Sequence, residues 1–130
     1  MTILLDWLTA DRKIAMWSFI GDWTWDDLVK IDHEWSASVR DLPFTVYLVH
    51  DFREAGRPPE HLLTRLPQIL NLPHITDLTN MSNVHTLIGT SGILRRAAEI
   101  YSRVYGRLNL VDTPEEALEL VAQAQEIPVN

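Results

Sequence analysis

The segment Phe44-Thr-Val-Tyr-Leu-Val49 has no wet side. Successive strand residues face opposite ways, and here both sets are apolar, aromatic or β-branched. Such a strand needs cover on both faces. That is the condition of a central strand in a parallel sheet with helices above and below it. The remaining segments must therefore supply neighbouring strands and two layers of helix.

They read that way. Residues 3–8 and 13–20 predict two strands joined by Thr9-Ala-Asp-Arg12, a connector short enough for an antiparallel hairpin. Gly21 ends the second strand. Thr24 with Asp27 reads as an aspartate variant of the capping box, and Trp23 and Leu28 have the spacing of a hydrophobic staple. Leu28, Ile31, Trp35 and Val39 then recur at helical spacing, predicting a helix over 25–40. Asp26 and Asp27 suit its positive end, and Pro43 comes just after it.

After the apolar strand comes a polar loop from Asp51 to Pro58. Pro59 suits the first position of a short helix carrying Leu62, Leu63 and Leu66, and Pro67 and Pro73 break up the next stretch. Asn83 to Ile88 predicts a strand. Gly89-Thr-Ser-Gly92 predicts a turn into a helix striped by Ile93, Ala97, Ile100 and Val104, with Gly106 as its C′ residue. Leu108 to Val111 predicts a short strand. Thr113-Pro-Glu-Glu116 has the form of a full capping box with proline at N1, opening a helix striped by Ala117, Leu120, Val121 and Ala124.

The order is β-β-α-β-α-β-α-β-α. It predicts an α/β class with a single mixed, mostly parallel sheet, its first strand antiparallel at an edge. No repeat or linker interrupts it, so residues 1–130 read as one domain.

Composition removes several functions. A net charge of −7 argues against nucleic acid as the main partner, because phosphate contacts need a basic face. With no cysteine, thiolate catalysis, disulfides and Cys-based zinc sites are excluded, and a cytoplasmic setting is the natural expectation. The N-terminus lacks a basic region, so it does not read as a signal peptide. No apolar run approaches the roughly 20 residues of a membrane span.

Candidate chemistry is sparse. His33, His50, His61, His74 and His85 show no metal-ligand spacing, and neither a metal nor a cofactor is expected. His50 and Asp51 stand at a strand C-terminus, the edge where open α/β sheets gather ligands. They are the pair an enzyme would use for acid–base work, although an ordinary loop pair is the simpler account and no catalytic residue is assigned. Thr90, Ser91 and Gly92 lie at a strand-to-helix turn whose free N–H groups and hydroxyls suit a small anion. The simpler account there is N-capping by Thr90 or Ser91. Arg95, Arg96, Arg103 and Arg107 read as a solvated face with local ion pairs, Glu99 among them.

All five tryptophans lie in the first 35 residues. Trp17, Trp23 and Trp35 have local explanations as strand, staple and stripe residues. Trp7 and Trp25 have none, and they are the candidates for an exposed contact that would serve self-association or an apolar ligand.

The element order, with a terminal helix opening Asp112-Thr-Pro-Glu-Glu-Ala-Leu118, resembles the STAS domain of anti-sigma-factor antagonists. It is closer still to the SpoIIAA-like proteins of unassigned function, a group related in fold to Sec14-type lipid-binding domains. The resemblance implies a non-enzymatic cytoplasmic domain that acts by protein–protein contact with a regulatory partner, as a homodimer. The Sec14 relationship implies an alternative, a small-molecule or lipid-binding module, with 53–80 as a movable lid. Phospho-regulated STAS domains carry an Asp-Ser-(Ser/Thr)-Gly loop. The matching place here reads Asp51-Phe-Arg-Glu-Ala-Gly56, with Phe52 and Arg53 where hydroxyls are needed. The implied expectation is that this chain does not undergo the phosphorylation cycle at that loop.

Overall fold

The computed structural model describes residues 2–62, 65, 81–105 and 108–126. Its elements are β1 (Thr2–Trp7), β2 (Ile14–Ile20), α1 (Trp25–Val39), β3 (Val46–Asp51), β4 (Met81–Ile88), α2 (Gly92–Tyr105), β5 (Leu108–Val111) and α3 (Pro114–Glu126). Among the described residues the strands form one five-stranded sheet in sequence order, β1-β2-β3-β4-β5. β1 pairs antiparallel with β2, and every other neighbouring pair is parallel.

The sheet separates two apolar layers. On one face Ala15, Trp17 and Phe19 of β2, Leu48 of β3 and Leu87 of β4 pack with Leu28, Ile31, Trp35 and Val39 of α1 and Ala98 of α2. On the other face Ile14, Val49, Ile88 and Val111 pack with Ala117 and Val121 of α3. β3 is buried from both sides: Val46, Leu48 and Val49 expose 1% or less of their surface. That is the cover its sequence demanded.

Boundaries moved for local reasons. β3 begins at Val46, two residues later than the apolar run suggested. Phe44 packs against the core outside the ladder, with the Lys13 ammonium 5.7 Å from its ring centroid. β3 also runs on to Asp51, because β2 and β4 both offer partners there, Ser18 and Ile88. β4 starts at Met81 rather than Asn83. The loop after β3 is tied down: Gly21 donates to Glu54 O at 2.9 Å, and Gly56 donates back to Gly21 O at 2.7 Å. These bonds extend the β2–β3 contact past the end of both strands. The Asp22 carboxylate accepts from Arg57 N–H at 2.6 Å, and a Cβ on Gly56 would collide with that carboxylate.

Helix starts differ among themselves. Thr24 and Asp27 form the complete reciprocal box, with bonds of 3.1 and 3.0 Å. Thr113 forms only half of one. Its hydroxyl accepts from Glu116 N–H at 3.2 Å, but the Glu116 carboxylate accepts a hydrogen bond from that hydroxyl at 3.3 Å instead of reaching the backbone. Helical conformation after the loop begins at Leu62, not at Pro59, and Arg65 N–H donates to His61 O at 2.9 Å. Leu63, Leu66, Pro67, Pro73 and Gly106 lie outside the described residues, as does most of the expected lid.

Trp35 joins α1 to the sheet with no exposed surface. Replacing it with alanine is expected to cost about 3–5 kcal/mol, whereas Thr24→Ala should cost about 1 kcal/mol through the lost cap. Urea unfolding monitored by far-UV circular dichroism measures both.

Candidate functional site

Rings dominate the α1 and α2 face of the sheet. Trp7 lies 5.6 Å from Trp35, Trp35 lies 6.2 Å from Trp17, and Trp17 lies 5.3 Å from His50, all between ring centroids. His50 stacks on Phe52 at 6.4 Å, Phe52 on Phe19 at 4.3 Å, and Phe19 meets Trp23 edge-on at 5.0 Å. Trp23 leads on to Trp25 at 6.0 Å. These separations and tilts are those aromatic pairs prefer. The result is one continuous seam from β1 across the sheet to the start of α1.

The seam accounts for both unexplained tryptophans. Trp7 is half-buried against Trp35. Trp25 is half-buried too. Its indole N–H donates to Glu60 O at 3.2 Å, and the Arg65 guanidinium lies 5.0 Å from its ring centroid. Trp25 thus pins the segment after the β3 loop onto α1. The two rings sit at opposite ends of the seam.

His50 and Asp51 do not form a dyad. As neighbours in a strand they face opposite ways. His50 joins the aromatic face beside His85, with ring centroids 5.8 Å apart. Asp51 falls on the α3 face, where Arg53 turns back to hold it. Arg53 N–H and Nε donate to Asp51 Oδ1 at 3.0 Å each, and Nη2 donates to Oδ2 at 2.8 Å. Burial pushes the Asp51 carboxyl up, but the Arg53 hydrogen bonds and charge outweigh it and hold the group below the usual carboxylate value. This is the bidentate geometry in which arginine binds carboxylates best.

The β4–α2 turn lies against that pair. Phe52 N–H donates to Ile88 O at 2.9 Å. Gly89 adopts φ +68°, and a Cβ there would lie 2.6 Å from Arg53 Cγ, so the arginine stem rests on the glycine. Neither Thr90 nor Ser91 caps α2 with its side chain. Ser91 supplies its carbonyl to Arg95 N–H at 3.2 Å, and the Thr90 hydroxyl is buried without a hydrogen-bond partner. Gly92 opens the helix at φ +56° with nothing within 4 Å of a would-be Cβ. The turn presents open amides, but its neighbouring cation is already spent on Asp51, and Glu115 and Glu54 also act on that guanidinium. On α2 itself Arg95 pairs with Glu99 at 3.3 Å, both exposed. Arg107 lies outside the described residues.

The sequence reading names His85 without its neighbour and passes over Asp32. His85 reaches His50 because β3 and β4 set Leu48 opposite His85 and His50 opposite Leu87. Asp32 is fully buried in α1, four residues from Leu28 and three from Trp35. Helical spacing alone places it on the apolar stripe. Among the described residues, no three His, Asp or Glu side chains gather in a way that could hold a metal ion. No helix among them is long and apolar enough to cross a membrane.

The layers and strand order are those of a SpoIIAA-like α/β fold. The chain is similar to the anti-sigma factor antagonist SpoIIAA in its unphosphorylated form, with a TM-score of 0.60 and 14% identity over 97% of this chain and 100% of that one. It is also similar to an uncharacterised protein of the DUF3478 family with a SpoIIAA-like fold from Shewanella loihica. There the TM-score is 0.62 at 13% identity, covering 92% of this chain and 91% of that one. At these identities the likeness is one of fold. No protein-family model and no curated protein matches the sequence.

The Asp51–Arg53 pair has a measurable signature. A carboxyl held below its ordinary value of 3.8 stabilises the fold above that pH. The stabilisation is lost as pH falls through the lowered value. Asp51→Asn should therefore be less stable than the parent at pH 7, and the gap should close as pH drops below 3.8. Urea midpoints taken at neutral and strongly acidic pH check this.

Proposed function

We infer that this chain is a regulatory STAS-like domain that acts in the cytoplasm through protein–protein contacts, as a homodimer and without enzymatic activity. The observation that carries the reading is Phe52. In phospho-regulated STAS domains the loop after the third strand presents a hydroxyl. Here the equivalent place holds a ring that is 8% exposed and stacked on Phe19 at 4.3 Å. The next side chain, Arg53, is committed to Asp51. A position filled by core packing and an internal ion pair is not offered to a kinase, so regulation rests on contact alone. The opposite facing of His50 and Asp51 supports a non-enzymatic role.

A second reading, a small apolar-ligand module, draws on one feature. His50 and His85 place two half-buried polar heads in an otherwise aromatic wall, the mixture that small-molecule sites use.

Light scattering and native mass spectrometry separate the two. The contact reading expects twice the 15.0 kDa chain mass with no bound compound. A stoichiometric apolar compound retained through purification sustains the second reading instead. A monomer carrying no ligand contradicts the homodimer.

A further inference from the structure

The two edges of the sheet are built differently. β5 closes one edge with four residues. β1 closes the other with six, Thr2-Ile-Leu-Leu-Asp-Trp7, and contains no proline, glycine or lysine. Sheets usually blunt long edges with charge, proline, bulges or cover. β1 carries one charge, Asp6, and its register against β2 runs unbroken from Thr2↔Ile20 to Trp7↔Ala15.

Its backbone polarity is fixed by one bond. Leu8 N–H donates to Ile14 O at 2.8 Å, which makes Leu8 and Ile14 a hydrogen-bonded pair. Such pairs alternate along an antiparallel ladder. Asp6, Leu4 and Thr2 therefore direct their N–H and C=O groups at β2, while Trp7, Leu5 and Ile3 direct theirs outward. Among the described residues nothing bonds to those outward groups.

We propose that β1 pairs antiparallel with β1 of a second copy, in a register centred on Leu4, joining two sheets into one. The proposal rests on the homodimer reading above and names its interface. A two-fold axis through the seam keeps each face of one sheet continuous with the same face of the other. It allows registers centred on Ile3, Leu4, Leu5 or Asp6, and those on Leu4 and Leu5 overlap the longest part of β1. Centred on Leu4, this residue meets its own copy, Ile3 meets Leu5, and Asp6 falls opposite Thr2. Leu4 is 46% exposed, and the second Leu4 covers it. Centred on Leu5, the Asp6 carboxylate is set against Leu4. Centred on Asp6, two carboxylates face each other, which is destabilising. Overlap and the position of Asp6 together select the Leu4 register. Ile3, Leu5 and Trp7, half-buried on the α1 face, gain cover from the same side of the partner strand.

The absence of native cysteine makes the register readable. Leu4 and its copy form a non-hydrogen-bonded pair, with Cα atoms about 4.5 Å apart, near the short end of the disulfide range of about 4.4–6.8 Å. Oxidation of Leu4→Cys should yield a covalent dimer, and Asp6→Cys should not. Leu4→Lys, a change at a half-exposed position, should leave circular dichroism intact and convert the protein to monomer by light scattering. A dimer that cross-links through Asp6→Cys and not Leu4→Cys overturns the register. A dimer that survives Leu4→Lys and cross-links through neither overturns the Leu4-centred pairing but leaves the homodimer standing. A parent protein that is monomeric at every accessible concentration overturns both.

Discussion

Trp17 and Trp35 meet edge to face, with ring planes at 82° and no exposed surface on either residue. One ring belongs to the strand that links the antiparallel hairpin to the parallel sheet. The other belongs to the helix that crosses from that strand to the next. Burying two indoles against each other sets the distance and roll of α1 over the sheet, since a core packed at crystal-like density tolerates little displacement. His50 then docks on Trp17, Phe52 and Phe19 come next, and Trp23 brings the seam back to the capped start of α1. The loop after β3 is ordered by the same packing, because Phe52 anchors it from beneath while Gly21 and Gly56 bond it from the side.

Much of this is legible in the sequence. The two-faced apolarity of residues 44–49 leads to a covered central strand. The Thr24–Asp27 box forms as its spacing predicts. The site is less legible, for a physical reason. Local spacing tells which way a side chain points but not which distant backbone will meet it. Trp25 looks unclaimed because its partners, Glu60 and Arg65, are 35 and 40 positions away. His85 looks ordinary until strand register sets it beside His50. Thr113 looks like a full box, yet a side chain with a choice of acceptors and donors does not announce its choice in the sequence.

Parity also disposes of the most tempting pair. A histidine followed by an aspartate at the end of a strand invites a catalytic reading, yet the sheet itself stands between them. One residue is drawn into the aromatic layer. The other is held by Arg53, two positions on.

The inequality of the sheet's two edges has a consequence for how far assembly can go. A polymer needs two adhesive ends, one to receive a neighbour and one to present itself to the next. In the β1–β1 dimer proposed above only one long edge is used. The β5 border is four residues long, and β1, once paired with its own copy, would have no edge groups left to offer. Association through β1 would then be self-terminating: a strand that would nucleate fibres in a sheet with two long edges would count to two and stop.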